Sequence, residues 1–133
     1  MSAERITYLD SSAMVKLVVH EPESAVLARF LRGKRPVVSS ALARVEVCRA
    51  CHSLGPKIDR RVREVFSRVE FVRINDRVIE IAASLEPGEL RTLDAIHLAT
   101  ASLFSESLAR VVTYDVRMAA ASRALGWAVS APA

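Results

Sequence analysis

Four acidic residues stand where chemistry is most readily built: Asp10, Glu46, Asp94 and Asp115. Asp10 closes the β-branched and aromatic run Ile6-Thr7-Tyr8-Leu9, and Asp115 closes Val111-Val112-Thr113-Tyr114 in the same way. Asp94 falls in the first turn of a helix expected to begin near Thr92, and Glu46 lies inside a helix expected over roughly 41–52. The chain has only five aspartates, and three of them occupy these strand ends and this helix start. Each aspartate taken singly also has an ordinary structural reading. Asp115 suits a helix N-cap, Asp94 suits a helix dipole, and Asp10 suits an Asp-Ser-Ser turn. Glu46 is harder to account for. Leu42, Ala43 and Ala50 surround it at helical spacing, an apolar stripe in which a lone carboxylate is costly unless it is paired or binds a cation.

Grouped carboxylates repel one another, so a site made of three or four of them either holds protons or recruits a hard cation. Mg²⁺ or Mn²⁺ suits such oxygen donors, activates a water as nucleophile and neutralises charge that builds on a phosphodiester. The acids therefore predict hydrolytic phosphate chemistry. Strand alternation sets Thr113 on the same face as Asp115 and puts a hydroxyl beside the site.

The elements that must position these residues follow from hydrophobic periodicity and its punctuation. Strands are expected at Ile6–Leu9, Val37–Val38, Phe71–Ile74, Val111–Tyr114 and Trp127–Val129. Between them the pattern predicts helices after Ser11, from Pro22 to near Gly33, and over 41–52 with Ser39 or Ser40 as cap. Further helices are expected from Ile58 to Val69, from Asp76 to Leu85, from Thr92 to about Ser105, and from Asp115 to Gly126. This alternation predicts an α/β fold: one domain over 1–133, a three-layer sandwich with a central, mostly parallel sheet flanked by helices. In such sheets ligands bind beyond the carboxyl ends of the strands, which is where Asp10 and Asp115 fall.

Composition agrees with one compact domain: 133 residues, 51% of them hydrophobic and 26% charged. No run is long and apolar enough to cross a bilayer, and the start, with Glu4 and Arg5, lacks the form of a signal peptide. The expectation is a cytoplasmic protein. The net charge of +4 is carried mostly by arginine, since Lys16, Lys34 and Lys57 are the only lysines. Arginine suits bidentate phosphate recognition, although a GC-rich genome produces the same bias.

The runs Tyr8-Leu9-Asp10-Ser11-Ser12-Ala13, Leu90-Arg91-Thr92-Leu93-Asp94-Ala95-Ile96-His97-Leu98-Ala99-Thr100-Ala101 and Thr113-Tyr114-Asp115-Val116-Arg117, with the isolated helical Glu46, together resemble a PIN domain. The second run is the most specific. The resemblance covers nearly the whole chain, and the short single-domain format is similar to the VapC-type toxins of bacterial toxin–antitoxin pairs. It implies a Mg²⁺- or Mn²⁺-dependent endoribonuclease with Asp10, Glu46, Asp94 and Asp115 as an acidic quartet. It also implies a homodimer and a cognate antitoxin whose tail occupies the groove of the site. Within that reading Asp10 and Asp94 are direct metal ligands, Glu46 is a ligand or a base that orients water, and Asp115 is a ligand through water. Ser12 and Thr113 support the acids from behind. Arg117 either contacts RNA phosphate or pairs with an acid.

Other signals have plainer explanations. Cys48-Arg49-Ala50-Cys51 lies well inside a helix rather than at its N-terminus, and zinc would need a ligand beyond Cys48, Cys51 and His52. Packing or surface thiols are expected. His97 could serve as a general base, but a partly buried, hydrogen-bonded histidine is the simpler expectation. The arginines from Arg60 to Arg68 make either a solvated face or a surface for RNA or a partner.

A two-component receiver is disfavoured because Ser11 follows Asp10 and no lysine occurs after Lys57, and a haloacid-dehalogenase-type phosphatase because Ser12 stands where its second aspartate belongs. The remaining alternatives are a housekeeping RNA-processing nuclease of the same fold and a non-catalytic RNA-binding module.

Overall fold

The computed structural model describes residues 5–133, so Glu4 of the N-terminal reading lies outside the described residues. The chain runs β1 (Ile6–Leu9), α1 (Ser11–Val18), α2 (Ser24–Leu31), β2 (Val37–Ser40), α3 (Ala41–Ala50), α4 (Pro56–Phe66), β3 (Glu70–Val72), α5 (Asp76–Ser84), α6 (Thr92–Ser102), a 3₁₀ turn (Ser105–Ser107), β4 (Leu108–Val112), α7 (Val116–Ala124) and β5 (Val129–Ser130). All described strand pairs are parallel, in the order β3-β2-β1-β4-β5. The expected parallel sheet is thus observed, with helices on both faces.

Two apolar layers hold the helices to the sheet, and strand alternation assigns residues to them. Leu9, Val37 and Val112 pack with Met14, Val18, Leu27, Val47, Val62 and Val65 from α1, α2, α3 and α4. Their neighbours Tyr8, Val38 and Val111 point to the other layer, with Ala101 of α6. Residues next to one another on β1 therefore serve opposite faces, which is why Asp10 can emerge between the two layers.

Several element ends differ from expectation, and pairing explains most of the shifts. β2 extends through Ser40, because Ser39 and Ser40 pair with Phe71 and Val72 of β3. Ser40 is then the cap of α3, its hydroxyl accepting from the Leu42 N–H at 3.1 Å. β3 ends at Val72 rather than Ile74 because β2 has already turned into α3 and offers no further partner. β4 ends at Val112, so Thr113 and Tyr114 lie in the connection to α7 rather than on the strand. The last strand is Val129–Ser130, where Val111 and Val112 pair with it. α6 stops at Ser102, and Ser105 at positive φ of 49° carries the chain away from the helical path.

The order of strands also fixes where a site can form. From β1 the chain adds β2 and β3 on one side, then returns to place β4 on the other. The strand order therefore reverses between β1 and β4, and the connections leaving these two strands are joined by hydrogen bonds at the carboxyl edge, where such sheets bind ligands. Asp10 and Asp115 are found in those two connections.

Candidate active site

Asp10 follows β1 and caps α1, its Oδ1 accepting from the Ala13 N–H at 3.1 Å and from the Ser12 hydroxyl at 2.7 Å. Its Oδ2 accepts from the Thr113 hydroxyl at 2.6 Å. The side chain is 3% exposed, and burial pushes its ionisation above the usual aspartate range, opposed by the hydrogen bonds from Thr113, Ser12 and the Ala13 amide. Thr113 was expected beside Asp115; its hydroxyl in fact serves both acids, since the Asp115 N–H donates to it at 3.0 Å. Ser12 joins the same two connections by accepting from the Tyr114 N–H at 3.0 Å.

Asp115 caps α7, with Oδ1 accepting from the Arg117 and Met118 N–H groups at 2.8 and 3.3 Å. Its Oδ2 lies 3.9 Å from Arg91 Nη2. The same guanidinium meets Asp94 from its Nε, 3.4 Å from Oδ2. Asp94 is in the first turn of α6 as expected. The capping reading and the site reading of Asp10 and Asp115 are therefore compatible, because a carboxylate that caps with one oxygen keeps another for a different partner.

Glu46 corrects the expectation of a lone carboxylate in an apolar stripe. Leu42 is only half-buried and Ala50 is exposed, and Glu46, with its side chain 25% exposed, pairs through Oε1 with His97 Nε2 at 2.6 Å. His97 is buried and hydrogen-bonded on both ring nitrogens, the second to the Tyr8 hydroxyl at 2.6 Å. His97 is thus the buried, hydrogen-bonded histidine expected, while Arg91 and Tyr8 are contacts of the candidate site that the sequence reading did not single out. Their contacts span long distances in sequence, and the one local cue was the three-residue spacing from Arg91 to Asp94.

Arg117 is exposed, and its side chain makes no ion pair among the described residues. It lines a concavity of about 450 Å³ together with Arg91, Asp94, Leu90 and Ala121. Another concavity of about 460 Å³ lies between α1, α2 and α4, rimmed by Arg32, Arg35, Arg61 and Arg68, and contains none of the four acids. Of the four acids, Asp94 alone lines the first of these concavities.

The oxygens of these acids are hard donors. Asp94 and Asp115 each turn an oxygen toward the same positive group, which marks the space between them as one that favours a cation. Among the described residues no three His, Cys, Asp or Glu side chains form a ready-made cage.

A family model for the PIN domain matches residues 7–124. The chain belongs to the PIN-domain family. Within that family it is 52% identical to Ribonuclease VapC46 of Mycobacterium tuberculosis, over 94% of this chain and 96% of that protein. It is 40% identical to Ribonuclease VapC35 of the same species, over the same shares of the two chains. The PIN fold is found again in a toxin–antitoxin complex from Klebsiella pneumoniae, with a TM-score of 0.73 and 22% identity, covering 96% of this chain and 98% of that one. It recurs in M. tuberculosis VapC20, titled a sarcin-ricin loop cleaving toxin, with a TM-score of 0.64 and 16% identity, over 86% of this chain and 94% of that one.

The other residues singled out in the sequence lie away from the cleft of this PIN domain. Cys51 is buried in the apolar layer beneath α3 and Cys48 is exposed, and neither forms a disulfide. The arginine face of α4 is largely exposed, with Arg61 Nε donating to the Leu17 carbonyl at 3.2 Å.

Proposed function

We propose that this PIN-domain chain is a divalent-metal-dependent endoribonuclease that hydrolyses RNA phosphodiester bonds, and that it is the toxin of a toxin–antitoxin pair. The reading is carried by two shared contacts: Asp94 and Asp115 face the same Arg91 guanidinium, and the Thr113 hydroxyl donates to Asp10 while accepting from the Asp115 N–H. It is supported by 52% identity, over nearly full length, to a protein named as a ribonuclease. One of the structural neighbours is itself a toxin–antitoxin complex, which is consistent with a protein antitoxin as partner.

In this reading Asp10 and Asp94 hold Mg²⁺ or Mn²⁺ directly, and Asp115 contributes through water. When bound, such a cation would supply Lewis acidity toward the phosphodiester and would lower the pKa of the attacking water. Glu46 orients that water or accepts its proton. Ser12 and Thr113 hold Asp10 by donating to its two oxygens. Arg91 balances Asp94 and Asp115 between turnovers, and Arg117 contacts an RNA phosphate from the exposed rim.

The same reading takes 1–133 as one cytoplasmic domain acting as a homodimer. No helix among the described residues is long and apolar enough to cross a membrane. Exposed Val45, Leu54, Ile79 and Leu93 offer apolar surface for a second copy or for an antitoxin.

Induced expression of the wild type and of Asp94→Asn, with RNA 5′ ends mapped across the transcriptome, tests the function in cells. Growth arrest and discrete new ends with the wild type alone are expected, and co-expression of the small protein encoded beside it should relieve both. Identical ends in the two strains would reject the enzymatic assignment.

A further inference from the structure

Tyr8, His97 and Glu46 form a continuous chain of hydrogen bonds that an acidic quartet by itself does not require. Tyr8 comes from β1, His97 from α6 and Glu46 from α3, so three separate elements converge on it. Tyr8 is 1% exposed and His97 2% exposed. Their rings meet edge to face, with centroids 5.9 Å apart and planes at 82°. The phenol oxygen lies 2.6 Å from His97 Nδ1, and His97 Nε2 lies 2.6 Å from Glu46 Oε1. A buried imidazole is costly unless both nitrogens are satisfied. Here each has one partner, so the ring has one orientation that serves both.

The direction of the protons follows from what the partners can do. A phenol ionises only near pH ~10, so Tyr8 keeps its proton at neutral pH. The Ser39 hydroxyl makes no hydrogen bond, and among the described residues the hydrogen-bond partner of the phenol oxygen is His97 Nδ1. The phenol proton therefore points to Nδ1, which must present its lone pair. In a neutral ring the remaining proton is on Nε2 and points at Glu46, an acceptor when ionised. The opposite tautomer would set a nitrogen lone pair against a carboxylate oxygen.

We infer that Tyr8 fixes the Nε2–H tautomer of His97, and that His97 is a positioning residue that holds Glu46 by Oε1 and leaves Oε2 for the cation or the attacking water. Oε2 makes no hydrogen bond among the described residues. The task given to Glu46 rests on the nuclease reading, whereas the tautomer stands on the geometry alone. A ligand carboxylate held in this way resembles other outer contacts of metal sites, whose loss lowers metal affinity about 10- to 100-fold.

The test pairs a spectroscopic measurement with a binding measurement. Long-range ¹H–¹⁵N correlation on protein labelled with ¹⁵N-histidine reads the tautomer at neutral pH, and the spectrum of His97→Gln separates His97 from His20 and His52. A bare Nδ1 and a protonated Nε2 are expected, and Tyr8→Phe should move the Nδ1 resonance toward that of a ring nitrogen without a hydrogen bond. Mn²⁺ titration followed by electron paramagnetic resonance should show about 10- to 100-fold weaker binding in folded His97→Leu. His97→Gln, which returns an N–H donor near the Nε2 position, should recover most of that loss. A proton on Nδ1, or His97→Leu binding Mn²⁺ as tightly as the wild type, overturns the inference. If the tautomer is as stated but the wild type binds no Mn²⁺, the nuclease reading fails while the role of Tyr8 stands.

Discussion

Asp10 is placed where its charge is expensive. Its carboxylate is buried, and three donors offset only part of the lost hydration, so the folded chain retains its proton to higher pH than the unfolded chain does. The sign of the stability effect follows directly. The contribution from protonated Asp10 is fully present below the ordinary aspartate range and is lost as pH rises through the elevated folded-state value. At neutral pH Asp10→Asn, which removes the charge and keeps an oxygen for Ser12 and the Ala13 amide, should therefore raise the melting temperature by several degrees. The gain should shrink as the pH is lowered into the aspartate range. Mg²⁺ should raise the melting temperature of the wild type and leave that of the variant nearly unchanged. Differential scanning calorimetry at two pH values, with and without Mg²⁺, measures all of this. A variant no more stable than the wild type at neutral pH would mean that the buried charge carries no such cost.

At the scale of the element, Asp115 combines two jobs in one side chain. Oδ1 caps α7 and Oδ2 faces Arg91. Asparagine caps about as well as aspartate, so Asp115→Asn should leave stability to urea within a few tenths of a kcal/mol, whereas Asp115→Ala should cost about 1 kcal/mol. Both should weaken Mn²⁺ binding, which separates the cap from the charge. This overlap explains why the sequence was informative yet incomplete. The positions of Asp10, Asp94 and Asp115 in the fold were legible because strand ends and helix starts have local signatures, and the parallel sheet was legible from alternating periods. Bounds moved where long-range pairing decided them, as at Ser39–Ser40 against Phe71–Val72. Arg91 drew no notice because its role depends on Asp115, which arrives from a different element. The Tyr8–His97–Glu46 chain joins residues 89 and 51 positions apart, a distance that no local pattern encodes.

The whole molecule explains why these pieces meet. A parallel sheet that grows first to one side of β1 and then to the other brings the connections after β1 and β4 together at its carboxyl edge, and two apolar layers hold α1 and α6 against opposite faces of the sheet. The net charge is +4, so under the proposed function the molecule as a whole would attract phosphate-rich RNA while the acids would hold the cation. The most direct test is cleavage of RNA by the purified protein with Mg²⁺, with Mn²⁺, and with a chelator, alongside equally folded Asp94→Asn. The account predicts cleavage by the wild type with divalent metal, loss of cleavage in chelator, and a drop of about 100-fold or more in the variant. Cleavage that persists in chelator, or that survives Asp94→Asn undiminished, would contradict it.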